Sequence, residues 1–214
     1  NNPYNNKTLR LMGQMHKAIS VIQFKLEADI IRRRPEFHME DRLLLHHIDF
    51  DKKKFIMNGK EYEMRDCFFP TVDPADPYKL SEEEAEIVQK LHYSFTRSEK
   101  LRKHMKCLFR YGCMFNVCNS NLLFHASMPL NEDGTLKEVD ILGRKYKGKE
   151  LLNRTGQLIR TAYFADDDNE EKAFALDYIW YLWCGKDSPA FDKSKMATFE
   201  RYFLTDKSTH KEIK

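Results

Sequence analysis

His125 closes the run Leu122-Leu123-Phe124-His125 and is followed by Ala126, Ser127, Met128 and Pro129. Three apolar residues before an imidazole, then small residues and a proline, read as a buried strand that ends where the chain swings into a loop. A strand fixes the ring and a loop leaves room beside it, which is how an enzyme presents a metal-ligating histidine. The alternative at this point is a core histidine satisfied by a backbone carbonyl. Downstream, Trp183-Cys184-Gly185-Lys186-Asp187-Ser188-Pro189 sets a lysine after a glycine in a loop. Lysine meets phosphate as a point charge, so Lys186 is a candidate substrate contact; the alternative is a solvated loop lysine. Asp187 can instead hold the loop through bonds to backbone amides. Arg154 and Arg160, between the two stretches, are further candidates for an anion.

Other groups carry less. His46 and His47 lie beside Asp49 and Asp51 and could bind a metal as a cluster. Adjacent histidines point in different directions, so the pair is read as the end of a surface helix. The five cysteines are odd in number and spread out, which fits free thiols in a reducing, cytoplasmic setting. Cys113 and Cys118 lack the second pair that a structural zinc site needs.

The elements that must position these residues follow from periodicity. Met12, Met15, Ile19, Ile22 and Leu26 form an a/d seam on a helix over 9–33, with Lys7, Arg10, Lys17 and Lys25 left to water. Arg32-Arg33-Arg34-Pro35 ends it. A short helix is expected over 39–47. Asn58-Gly59 between two polar-apolar runs predicts a hairpin over 54–64 with a type I′ turn. Ser81 and Glu84 form a capping box opening a helix whose buried stripe is Ala85, Val88, Leu91 and Phe95. Ser98 caps a continuation burying Leu101, Met105 and Leu108. Residues 114–118 and 122–126 read as antiparallel strands joined by Asn119-Ser120-Asn121, and 139–142 as a further strand. Helices are expected over 149–164, over a stretch capped by Asp166–Asn169 and running to about Trp183, and around Met196 to Leu204.

With 214 residues, 42% of them hydrophobic, one core or two small domains fit. A net charge of +3 gives no global argument for nucleic acid, and no apolar run is long enough to cross a bilayer. The fold class is α+β, mostly helical, with one hairpin and a strand pair ending at His125. A domain boundary is marked near Arg110, giving 1–110 and 111–214. The chain opens on Asn1-Asn2-Pro3 without an initiator methionine and closes on His210-Lys211-Glu212-Ile213-Lys214, so an internal piece of a longer polypeptide is expected.

The order of the two chemical stretches resembles the C-terminal part of a calcineurin-like metallophosphoesterase. In that superfamily an apolar strand ends in His-Gly-Gly before a Ser-Pro turn, and a Leu-Trp-Ser-Asp-Pro loop follows after helices. Leu122 to Pro129 and Tyr181 to Pro189 match these elements in order and rough spacing. The chain is more similar to the class III fructose-1,6-bisphosphatases. The similarity runs through Met15 to Ile19 with Ile22 to Glu27, Asp41 to Leu45, Pro129 to Gly134, and Trp183 to Pro189.

The resemblance implies a two-metal phosphatase, usually manganese-dependent, that removes the 1-phosphate of fructose 1,6-bisphosphate in gluconeogenesis. Two divalent ions bridge a hydroxide, lower its pKa and clamp the phosphoryl oxygens. It also implies that His125 is a metal ligand and that 111–214 joins an α/β sandwich. Residues 1–110 would then be a helical cap or an oligomer contact, with a homo-oligomer as the assembly. The superfamily's Asp-x-His, Gly-Asp-x-x-Asp-Arg and Gly-Asn-His motifs are not in this sequence, and His210 lacks the Gly-His context. The 214 residues alone are therefore expected to be inactive. Two competing readings are a non-catalytic helical scaffold and a nucleic-acid-binding module built on Arg32, Arg33, Arg34, Arg97, Lys100, Arg102, Lys103 and Lys106. The acidic runs 82–84 and 166–168 offset that positive charge.

Overall fold

The computed structural model describes residues 5–212. They contain six α-helices and three small antiparallel sheets. The chain divides into two compact units. One holds the residues through Tyr93 with Thr198–His210; the other holds Ser94–Ala197 with Lys211 and Glu212. The α+β class is as the pattern implied. No helix among the described residues is long and apolar enough to cross a membrane.

In the first unit α1 spans Asn6–Arg33. Asn5 caps it by accepting the Thr8 N–H at 2.9 Å. Its inward face is Val21, Phe24, Ala28 and Ile31, about 180° around the helix from the expected seam. Of that seam only Ile22 is buried; Met12, Ile19 and Leu26 are exposed and Met15 is 62% exposed. Lys25, expected in water, is 1% exposed. Its charge is tolerated inside because Glu84 receives it there, beside the face that buries Val21, Phe24, Ala28 and Ile31. Lys17 is also engaged, by Asp66 at 2.5 Å and above the Phe69 ring at 4.7 Å.

After Pro35 the chain takes 3-10 turns at Pro35–Phe37, Glu40–Arg42 and Leu45–His47, not the helix expected over 39–47. Leu44 and Leu45 turn into the core there, and three-residue turns deliver them without a regular apolar face. A three-stranded sheet follows: β1 (Ile48–Asp49), β2 (Lys54–Met57) and β3 (Lys60–Glu63). The β2–β3 hairpin is the predicted one. Met57 pairs with Lys60, and Asn58 and Gly59 have φ of 52° and 72°, as a type I′ turn requires.

Helix α2 (Glu82–Arg97) opens with the expected capping box. Ser81 Oγ accepts the Glu84 N–H at 3.2 Å and a Glu84 carboxylate oxygen accepts the Ser81 N–H at 2.9 Å. Its buried stripe is not the expected one. Leu91 and Phe95 are exposed, and Glu84 is the buried residue of the helix, drawn in by Lys25 and Thr71. Helix α6 (Thr198–Phe203) completes this core, with Phe199 and Phe203 packed on Phe24, Phe55 and Phe69. Glu200 takes Arg42 in a two-pronged pair at 2.8 and 3.1 Å.

In the second unit α3 (Glu99–Tyr111), capped by Ser98, packs on α4 (Gly148–Phe164), which packs on α5 (Lys172–Cys184). Leu101 and Met105 of α3 are half-buried and Leu108 is exposed. The inward face of α4 is Leu151, Leu152, Thr155, Leu158 and Ala162, a run at helical spacing. α5 begins two residues later than Asp166–Asn169 would place it, and its C-terminal end is not buried all round: Trp183 is exposed. The strand pairs are β4 (Phe115–Cys118) with β5 (Asn121–Phe124), and β6 (Val139–Ile141) with β7 (Arg144–Tyr146).

Candidate active-site region

β4 and β5 are joined at Asn119 and Ser120, both with positive φ, and Phe115 faces Phe124 at the open end. His125 leaves that end. The strand is not buried as expected: Leu122, Leu123 and Phe124 are all exposed. A two-stranded ribbon has two faces, and among the described residues no layer covers either over β5. The His125 ring is likewise exposed rather than enclosed in a core.

Directly after it, Ala126 has a φ of 65°. This left-handed conformation turns the chain sharply and carries a steric cost for any residue with a Cβ. Ser127 then anchors the turn. Its N–H donates to the Pro189 carbonyl at 3.4 Å and its hydroxyl to the Phe191 carbonyl at 3.2 Å. The two chemical stretches picked out by sequence are therefore joined in space, through a serine that sequence reasoning treated only as a small residue.

The loop after α5 is built by Ser188 rather than Asp187. Ser188 Oγ donates to the Leu182 carbonyl at 2.9 Å and accepts the Ala190 N–H at 3.0 Å. Gly185 is required because its backbone lies against the Tyr181 ring, where a Cβ would collide. Asp187 does not bind backbone amides as expected; it accepts Lys137 Nζ at 2.8 Å, which ties in the segment after Pro129. Burial pushes the Tyr181 phenol well up, with the Asp187 carboxylate adding to the effect.

The four predicted contact residues separate. His125 and Arg160 line one cavity of about 520 Å³, whose wall is Leu108, Phe109, Met114 and Ile159. Arg160 donates to the carbonyls of Gly156 and Gly112, each at 2.9 Å. Arg154 and Lys186 do not line it. Arg154 is paired with Glu171 at 2.7 Å, and its Nε is buried without a hydrogen-bond partner. Lys186 is exposed on its loop.

Among the described residues no group of three or more His, Cys, Asp or Glu side chains could hold a metal ion. His125 is exposed but belongs to no such group, so the donors among the described residues do not fit a two-metal centre. His46 and His47 form no site with Asp49. Their rings do not diverge as expected but lie 4.0 Å apart, and His46 Nδ1 meets the Tyr78 hydroxyl at 2.9 Å. Burial lowers the His46 pKa, with His47 and Arg32 adding to it. Of the cations in the nucleic-acid reading, Arg32 lies over the Tyr78 ring and Lys103 pairs with Glu99 at 2.9 Å. His210 meets the Leu204 carbonyl at 3.3 Å.

Comparison with known proteins completes the picture. The family model described as Firmicute fructose-1,6-bisphosphatase matches residues 1–214. The protein named fructose-1,6-bisphosphatase class 3 of Phocaeicola vulgatus is 72% identical over 212 residues, covering 99% of this chain and 32% of that protein. The proteins of the same name from Bacteroides fragilis and Clostridium botulinum are 68% and 52% identical, with the same coverage. The chain thus spans about a third of the length of the curated relatives it matches. No solved structure matches it. With a family model matching end to end and relatives this similar, the chain belongs to the Firmicute fructose-1,6-bisphosphatase family.

Proposed function

We propose that these residues serve a cytoplasmic fructose-1,6-bisphosphatase that releases the 1-phosphate of its substrate, with manganese as the metal. The observation that carries this reading is the family match along the whole chain, with His125 exposed at the end of β5 and its turn bonded to the loop after α5. In the proposal His125 is one ligand of a metal centre. The relatives are about three times longer, so the remaining ligands are assigned to parts of such a polypeptide that these 214 residues do not cover. Lys186, exposed beside Gly185, is the proposed substrate-phosphate contact, since a flexible ammonium can reach an anion. Arg154 is less suited, because Glu171 already takes its charge.

The test compares the 214 residues with a polypeptide of the relatives' full length carrying the same sequence. Phosphate release from fructose 1,6-bisphosphate with manganese is expected from the long form only. His125→Ala in the long form should lower turnover and weaken manganese binding read by paramagnetic resonance. Turnover by the short form, or unchanged manganese affinity in the variant, would contradict the reading.

A further inference from the structure

The cavity beside His125 has a chemistry that a sugar bisphosphate does not match. Its wall is mostly apolar, with Leu108 and Phe109 from α3, Met114 from the following segment and Ile159 from α4, beside Cys113 and His125. A polyhydroxylated sugar would leave its hydroxyls without partners against such a wall. At its mouth is one permanent cation, Arg160. Two of the five guanidinium N–H groups go to the carbonyls of Gly112 and Gly156, which fix the plane of the group. No carboxylate among the described residues pairs with it. A Cβ at position 156 would lie 3.2 Å from Arg160 Nη1, so an added methyl would push the guanidinium aside by a few tenths of an ångström.

An apolar chamber of this size is of ligand scale. A fixed, unneutralised guanidinium at its rim adds a preference for one anionic group. We propose that this cavity binds a single-headed anionic amphiphile, an alkyl carboxylate or alkyl phosphate, with the head on Arg160 and the chain among Leu108, Phe109, Met114 and Ile159. His125, the proposed metal ligand, lines the same cavity, but the binding readout below needs neither metal nor turnover, so failure of one reading is distinguishable from failure of the other.

The probes are octyl phosphate, hexyl phosphate, octanol and inorganic phosphate, titrated into the 214-residue protein by calorimetry. Methyl resonances of Met114 and Ile159 are followed by NMR, beside those of Met15 and Ile19 on the exposed stripe of α1. Octyl phosphate should bind at least tenfold more tightly than either octanol or inorganic phosphate. Each buried methylene is worth roughly a factor of four, so the hexyl compound, two methylenes shorter, should be weaker by about sixteenfold. Arg160→Gln should bring octyl phosphate down to the level of octanol, and Arg160→Lys should restore part of the difference. Gly156→Ala, which keeps the charge but displaces it, should weaken the phosphate more than the alcohol. Met114 and Ile159 should shift while Met15 and Ile19 do not. Shifts confined to Met15 and Ile19, or octyl phosphate affinity unchanged in a folded Arg160→Gln protein, would overturn the proposal. Equal binding of hexyl and octyl chains would also overturn it, as an adventitious additive only.

Discussion

Lys25 and Glu84 form a salt bridge inside the first unit, 2.6 Å from Nζ to Oε2, with both side chains out of water. The lysine donates a second bond to the Thr71 carbonyl at 2.6 Å, and the carboxylate also takes the Thr71 hydroxyl and the Ser81 N–H. Burial raises the Glu84 pKa, but the bonds from Lys25, Thr71 and Ser81 outweigh it, and the net shift is downward. Breaking such a pair by removing one partner leaves a buried charge alone, which costs about 3–5 kcal/mol. Lys25→Met should therefore destabilise the first unit by that order, and Lys25→Met with Glu84→Gln by less, in urea unfolding followed by circular dichroism. The sign of the pH effect is that of a depressed carboxylate. Its stabilisation is present above the ordinary Glu value near about 4.3 and is lost as pH falls through the lower folded value. The wild-type midpoint should drop at pH 3 relative to pH 6, with a smaller drop in Glu84→Gln.

Two backbone positions make opposite predictions from the same steric rule. Ala126 and Gly59 both have positive φ, 65° and 72°. A left-handed residue with a Cβ costs roughly 1–2 kcal/mol. Ala126→Gly should thus raise the stability of the second unit by up to about 1 kcal/mol, offset in part by the extra freedom of the unfolded chain. Gly59→Ala should lower that of the first by a similar amount. Thermal unfolding of the two variants beside the wild type reads both signs. At position 126 alanine holds a conformation that glycine adopts without strain.

Local features were legible where the chemistry is local. The Asn58-Gly59 turn, the Ser81–Glu84 capping box and the Ser98 cap need only neighbouring residues, and each stands as read. Face selection was not legible. Helix α1 has two apolar faces, and the one that packs is flanked by Lys25, whose partner Glu84 is 59 positions away. Glu84 lies on the same face of α2 as Leu91 and Phe95, but only its end of that face is buried, and Leu91 and Phe95 are exposed. At the site, apolar Leu122 to Phe124 suggested burial, whereas a two-stranded ribbon exposes them. His125 and the Trp183–Pro189 loop were singled out separately, by residue chemistry; that they lie together was not read, and the atoms that join them belong to Ser127, Pro189 and Phe191. A serine's backbone partner 64 residues away has no sequence signature.

Alkaline pH should loosen both units through buried phenols. Burial pushes Tyr78 and Tyr178 up to about 12, while bonds from His46 and Leu45 to the first, and from Thr155 to the second, oppose it. These are raised pKa values. The stability they contribute is complete below the unfolded value near about 10 and is lost as pH rises through the folded value. Between pH 10 and 12 the free energy of unfolding should fall steadily. Absorbance at 295 nm should show exposed tyrosines titrating first and a late, cooperative phase coincident with loss of ellipticity. Tyr178→Phe should remove part of that late phase.

The position of His125 depends on a serine it does not touch. Ser127 is bonded through both its backbone and its hydroxyl to the segment after Ser188, while Lys137 bonds Asp187 in the same loop. A hydroxyl bond of this kind contributes about 1 kcal/mol, too little to govern global folding and enough to shift a local opening equilibrium several-fold. Ser127→Ala should leave the thermal midpoint within a few degrees of wild type. It should speed amide exchange across 125–131 and 185–191 together, with exchange in α1 and the β2–β3 hairpin unchanged. Adding Lys137→Ala should increase the effect in the same two segments, because the second tether joins the same loop. Exchange that rises in only one segment would mean the two stretches are held independently, and the shared anchoring of the histidine turn and its facing loop would be lost.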